Sequence, residues 1–320
     1  MRERLERIVD FVTDPRVPHN MLATALRAHK FSKLRNASSS RSRLLVAMTF
    51  DVEREYGSTI PPVKRPTERL FLEHVDEYFQ VGTIFIEGSL VGMNSDRLRS
   101  LQEEGFEIGL HGYQHELWGA AQWYLPDRPL SAKEKDSLVK TALDAFGKAG
   151  LDKPNAFRAP NLVIDDSTRE ILRRNGFTID SSLPSHKGSL PIPILDHDSN
   201  GLVGIPVTAD PVPDLKRRLV IPYLRYKVFN LKVLKELSRE DISRSLNRII
   251  AIQVERGFPR HIVINAHSWE FYEPTMAEFS YCSEGNFEFL HNLMEMLAEN
   301  FGLEYVTMPM LARILLENKT

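Results

Sequence analysis

Cysteine is all but missing from this sequence. A single thiol, Cys282, in 320 residues excludes an internal disulfide and any zinc cluster built on cysteines. It stands in no recognisable nucleophile context, so it reads as a structural residue. Long apolar runs are missing as well. Nothing approaches 18 consecutive apolar residues, so no spanning helix is expected, and Arg2, Arg4, Glu6 and Asp10 interrupt the stretch where a signal-peptide core would lie. A strong charge of either sign is also lacking. The net charge of −2 argues against wholesale nucleic-acid binding. With 42% hydrophobic and 26% charged residues, the composition is that of a soluble globular protein, and the simplest expected compartment is the cytoplasm.

Local bias survives this overall balance. Residues 1–43 carry ten Lys/Arg against four Asp/Glu, with helical periodicity in Leu5, Ile8, Val9 and Val12 and again in Met21, Leu22 and Leu26. Asn36 to Ser40 then reads as a flexible joint. The expected division is a basic helical extension and linker over 1–42 and one main domain over 43–320.

From Leu44 onward, short apolar runs alternate with amphipathic stretches, the pattern of parallel strands joined by crossover helices. Expected strands are Leu44–Phe50, Thr83–Ile86, Glu107–Leu110, Gly176–Ile179, Leu202–Val207, His261–Asn265 and Leu303–Thr307. Asp96–Glu104, Ser131–Lys148 and Asp166–Asn175 read as helices between them. About seven β/α units follow. In such folds the functional side chains gather at the carboxyl ends of strands, and Asp51, His111, Asp180 and His267 each follow an expected strand.

His111 and His115 are four residues apart, which on one face of a helical turn gives a workable bite for a divalent cation. Spacing alone is weak evidence, because ten histidines in 320 positions make one such pair unsurprising. Two surface histidines would look the same. Asp51 and Glu53 end an apolar strand, where a buried carboxylate needs a partner. Two apart on a strand, they share a face while Val52 points away. Beside a histidine pair they suggest one metal ligand and one general base, although an ion pair with Arg54 or Arg158 fits the same residues. Arg158, just before Ala159-Pro160, carries a fork suited to holding a carboxylate ionised. His267 is a natural proton donor near neutral pH, and Asp180 is an acid able to fix its tautomer.

Six segments occur in order: Thr49-Phe-Asp-Val-Glu53, Thr83-Ile-Phe-Ile-Glu-Gly88, Gly105-Phe-Glu-Ile-Gly-Leu-His-Gly-Tyr-Gln-His115, Phe157-Arg-Ala-Pro160, Ile179-Asp-Ser-Ser182 and Ala266-His-Ser-Trp269. From about Leu44 to Leu311 the chain resembles the polysaccharide deacetylase family, the NodB-homology or carbohydrate esterase 4 group. The resemblance implies a distorted (β/α)7 barrel and metal-dependent removal of an N-acyl group from an amino sugar. It also implies roles: His111 and His115 bind the metal, zinc being the expected ion, Asp51 is the general base, Arg158 tethers it, His267 is the general acid and Asp180 orients His267. Two departures stand out. Where the commoner family pattern has consecutive aspartates, Val52 follows Asp51, so the third ligand is expected to be Glu53, as in a branch that spaces its carboxylates by one residue. After Asp180, where an aromatic often stands, the chain has Leu183, Pro184 and His186, and Trp269 is the candidate replacement.

Lys216 to Lys235 is basic and aromatic, with Arg217, Arg218, Arg225 and Lys227 among Tyr223, Tyr226 and Phe229. Such a segment suits an anionic membrane surface or a phosphate group. A solvated helix with its apolar face on the barrel is the more ordinary reading of the same residues. The expected substrate is an amino sugar in a glycan, or in a glycan precursor carried on a lipid phosphate or nucleotide. Competing expectations are a relative acting on another C–N bond, such as a ureide or formamide, and a glycan-binding member without catalysis.

Overall fold

The computed structural model describes residues 43–54, 67–122, 125–183, 190–195, 201–212, 226–273 and 279–317, with the single positions 22, 26 and 31. The expected 1–42 extension, those three positions apart, and the part of the basic segment from Lys216 to Arg225 lie outside the described residues.

Among the described residues nine strands form one sheet: β1 (Leu44–Val52), β2 (Thr83–Ile86), β3 (Glu107–Leu110), β4 (Ala156–Phe157), β5 (Ile179–Asp180), β6 (Ile194–Leu195), β7 (Val203–Gly204), β8 (His261–His267) and β9 (Leu303–Tyr305). The order is β6-β7-β5-β4-β3-β2-β1-β8, with β9 also paired to β1. Every pairing is parallel except β6 with β7. β8 runs along one edge of β1, so β9 at the start of β1 and β2 at its end share the other. Seven of the parallel strands, β1 to β5, β7 and β8, make the curled wall of a (β/α)7 barrel. The chain leaving β7 bridges the gap between its ends: Ile205 N donates to Asp180 O of β5, and Thr208 N donates to Val263 O of β8.

Among the residues described from Arg43 on, the helices are α1 (Thr67–Tyr78), α2 (Ser95–Glu103), α3 (Ala132–Lys148), α4 (Asp166–Arg174), α5 (Leu231–Glu236), α6 (Arg239–Glu255), α7 (Asn286–Phe301) and α8 (Met308–Glu317). Their starts are chemically marked. Ser131 and Glu134 close a capping box on α3, and Asp165 and Ser238 cap α4 and α6, each satisfying amides that the first turn leaves orphaned. Lys135, buried on α3, donates to both carboxylate oxygens of the α4 cap Asp165 at 2.8 and 2.7 Å, which fixes the two helices together.

The pleat of β1 sorts its side chains into two layers. Leu44, Val46, Met48, Phe50 and Val52 join the core beneath the helices, with Phe71, Leu98, Val139 and Leu290. Leu45 and Ala47 face the barrel interior, where Phe85, Ile179, Val203 and Val263 meet Met308, Leu311 and Leu315 of α8. The inward face therefore changes character along its length, from Leu45 and Ala47 to Thr49 and Asp51. That change marks the carboxyl end as the functional end.

The strand boundaries differ from those expected in instructive ways. β1 runs two residues beyond Phe50, so Asp51 lies within the strand, and β8 extends to include His267. The Gly176 strand begins only at Ile179, because Asn175 to Thr178 turn out of α4. β4 and β6, two residues each, were not expected.

Phe50 packs against Phe71 at 5.2 Å and Phe79 at 5.1 Å between ring centroids. Phe50→Ala should cost about 3–5 kcal/mol of unfolding free energy through the cavity it leaves, read by urea denaturation. A loss under about 1 kcal/mol would contradict this packing.

Candidate active site

Strand register assembles the site. Asp51 pairs with His267 and Thr49 with Asn265 across β1 and β8. On the other side, Leu110 pairs with Phe157 and Phe157 with Asp180, so His111, Arg158 and Ser181 leave their strands at one level.

Arg158 is fully buried, and its donors are used. Its Nη1 donates to Asp51 Oδ1, Thr49 Oγ1 and Asn265 Oδ1, each at 2.8 Å, and its Nη2 donates to Ser181 Oγ at 2.9 Å. The Phe85 ring lies 4.3 Å below the guanidinium carbon. Asn265 Nδ2 donates to the second oxygen of Asp51 at 3.1 Å. Burial would raise the Asp51 pKa, but the Arg158 charge, followed by those of His111 and His267, brings it below its ordinary value. Asp51 is thus an ionised carboxylate with one oxygen tied to arginine.

Glu53, His111 and His115 bring one carboxylate oxygen and two ring nitrogens within 4.8 Å of one another. Glu53 Oε2 lies 3.3 Å from His111 Nε2 and 3.0 Å from His115 Nε2, yet it is buried and accepts no hydrogen bond of ordinary geometry. The other Glu53 oxygen accepts the Trp269 indole N–H at 2.7 Å. His111 Nδ1 lies 3.0 Å from the Arg158 carbonyl, which can only accept, so Nδ1 carries a proton and Nε2 is the ring nitrogen turned toward Glu53. One carboxylate oxygen and two imidazole nitrogens gathered this closely are the donor set that a tetrahedral zinc site takes. The residues fit a divalent metal. Burial would raise the Glu53 pKa, but the two imidazoles set against its Oε2 hold it well below the usual carboxylate range.

The histidine pair reaches this geometry differently from the expected helical turn. His111 to His115 form a non-helical turn in which Gly112 (φ 66°) and His115 (φ 65°) are both left-handed. A Cβ on Gly112 would come within 2.7 Å of Trp118 Nε1, so the glycine is required on both counts.

His267 ends β8 with Nε2 3.9 Å from Asp51 Oδ2 and its ring stacked on Trp269 at 5.0 Å. Burial would lower its pKa, but Glu270, then Glu53 and Asp51, push it up to about 10. The carboxylate beside its Nδ1 is Glu270, at 3.2 Å, and this corrects the expected pairing with Asp180. Asp180, on β5, has Oδ2 3.4 Å from Arg169 Nε and an oxygen accepting the Ser182 amide at 2.9 Å, so its charge is committed there.

Two acidic residues escaped the reading of the sequence. One is Glu270, whose His-x-x-Glu spacing was visible. The other is Glu87, at the end of β2, which is buried with its pKa raised to about 7 by burial and then by the Glu53 charge. It lies within the quoted Thr83–Gly88 segment, and only the fold shows that it stands near the histidine pair.

Residues 39–179 match the family model described as polysaccharide deacetylase. The match includes Asp51, Glu53, His111, His115 and Arg158 and stops before Asp180 and His267. A peptidoglycan deacetylase of Helicobacter pylori is 30% identical over 110 residues, 33% of each chain. A peptidoglycan deacetylase-like protein of Gibberella zeae is 26% identical over 125 residues, 37% of this chain and 34% of that one. The chain therefore matches about a third of the length of these curated relatives. A crystal structure from Mycobacterium smegmatis, named for the same family, superposes with a TM-score of 0.58 at 21% identity, covering 89% of this chain and 95% of that one, so the barrel is shared along nearly the whole chain. Residues 39–179 are thus similar to the polysaccharide deacetylase family, and the barrel as a whole shares its fold with the Mycobacterium smegmatis structure.

Proposed function

We propose that the chain is a metal-dependent hydrolase that removes an N-acyl group, N-acetyl in the first instance, from an amino sugar of a glycan or glycan precursor. The observation that carries this reading is the convergence of Glu53, His111 and His115 within 4.8 Å, beside an ionised Asp51 and a protonated His267. The two curated relatives bear peptidoglycan deacetylase names, which supports an amino-sugar substrate.

Glu53 Oε2 and the Nε2 atoms of His111 and His115 would hold the cation. Two nitrogens and one oxygen favour zinc. When bound, it supplies Lewis-acid polarisation of the acyl carbonyl. Asp51, kept ionised by Arg158, accepts a proton from the attacking water at Oδ2, the oxygen on the His267 side. The water oxygen adds to the carbonyl carbon, and the C–N bond breaks as His267 delivers its Nε2 proton to the departing nitrogen. Products are the carboxylic acid and the free amine. Arg158 and Asn265 hold Asp51 in place throughout, and Trp269 holds Glu53 so that only Oε2 faces the histidines.

Three outcomes test this. Zinc bound by the purified protein should approach one ion per chain, and Glu53→Gln should weaken binding more than about 100-fold, beyond the usual effect of an outer-shell change. Binding unaltered by that substitution would remove Glu53 as a ligand. Acetate release from N-acetylated amino sugars, free and lipid- or nucleotide-linked, should vanish with a chelator and return with zinc. Turnover of a ureide or formamide in place of these substrates would redirect the assignment, and metal-loaded protein inactive on every one would indicate a binding protein. Asp51→Asn and His267→Gln should each lower kcat by about 10²–10⁴-fold, the range for a lost acid or base, while metal content and circular dichroism stay as in the parent. Retention of most activity in either variant would refute its role.

A further inference from the structure

The four residues His267-Ser268-Trp269-Glu270 form a short 3₁₀ turn leaving β8. Glu270 folds back three residues onto the first of them. Its Oε2 accepts the His267 amide at 2.8 Å and lies 3.2 Å from His267 Nδ1. Glu270 is only 2% exposed, and its own backbone is anchored. Asn286 Nδ2 donates to the Glu270 carbonyl at 2.6 Å, and the Ser283 amide donates to the same oxygen at 3.2 Å. Asn286 is in turn held by Lys235 Nζ at 2.6 Å. A carboxylate bonded to both the amide and the ring of one histidine fixes that ring's rotation more tightly than a carboxylate reaching across from another strand.

We propose that Glu270 is the positioning residue of His267, holding its Nδ1–H so that Nε2 faces Asp51, in the role that the sequence had pointed to Asp180. This rests on His267 being the proton donor of the proposed reaction. An imidazolium bonded through Nδ1 to Glu270 keeps its second proton on Nε2, 3.9 Å from Asp51 Oδ2, on the side where a leaving nitrogen must arrive. The charged groups around the ring are Glu270 on its own turn, Asp51 and Glu53 on and beside β1, and His115 after β3. Tyr281 and Cys282 lie against Glu270 from the segment before α7, both with pKa values raised, by burial first and then by the Glu270 charge.

Proton–nitrogen NMR on the metal-free protein separates this role from a structural one, and it needs no substrate. In Glu270→Gln the His267 pKa should fall by more than one unit, while Asp180→Asn leaves it in place. With metal and a working substrate, Glu270→Gln should lower kcat about 10–100-fold, the range for an outer-shell partner, with KM within twofold. The alkaline limb of the kcat/KM profile should move to lower pH, and Glu270→Asp should recover part of the loss. A His267 titration unmoved in Glu270→Gln, or moved as far in Asp180→Asn, overturns the assignment. Should Glu270→Gln not fold, the parent protein decides: a hydrogen-bonded Nδ1 proton with a pKa well above 6.5 supports the role, and an ordinary pKa overturns it. Absence of turnover on any substrate would count against the proposed reaction and would leave the NMR result standing.

Discussion

A guanidinium with no exposure to water sits in the upper barrel, and the arrangement of the site follows from its needs. Burying such a charge is costly unless its donors are satisfied and a counter-charge is near. Arg158 meets that requirement only by drawing on Thr49 and Asp51 of β1, Asn265 of β8 and Ser181 beyond β5, with Phe85 of β2 beneath it. Four strands besides its own are thus committed to one cation. The same contacts that satisfy the arginine keep Asp51 ionised and aimed, so the stability of the fold and the charge of this carboxylate are one interaction.

The strands most legible in the sequence were those whose apolar runs are continuous: Leu44–Phe50, Thr83–Ile86, Glu107–Leu110 and His261–Asn265. A strand buried on both faces must read that way. β4 and β6 escaped because their two residues sit in segments broken by Pro154 and Arg158 and by Pro191 and Pro193, whereas β5 and β7, equally short, lie in longer apolar runs. The seven positions singled out as chemical do gather at the carboxyl end of the barrel, since motif spacing and strand ends are both local signals. What local signals could not give was pairing across the barrel. Nothing near Asp180 announces Arg169 as its partner, and nothing in the order of strands says that the acid beside His267 would come from its own turn. The left-handed turn at His111 to His115 was partly signalled by Gly112, a residue poor in helices.

The turn after β8 works in two directions. Ser268 Oγ lies 3.4 Å from the Glu53 carbonyl and Trp269 reaches the Glu53 carboxylate, while Glu270 faces back toward His267. The orientations of Glu53 and His267 therefore depend on one four-residue bracket, itself fastened to α7 through Asn286. The helix is far from the chemistry in sequence and one hydrogen bond from it in space.

Among the described residues, three other than glycine adopt left-handed backbone: His115, Asn161 and Leu162. All stand on the loops that follow β3 and β4, beside the site. For His115 this means that the residue is chosen twice over, once for its ring and once for a conformation that β-branched side chains resist. Asparagine tolerates that conformation and lacks the imidazole, whereas valine fails on both grounds. Exchanging position 115 between these two would divide the cost of shaping the loop from the cost of losing a donor, a separation that truncation to alanine blurs.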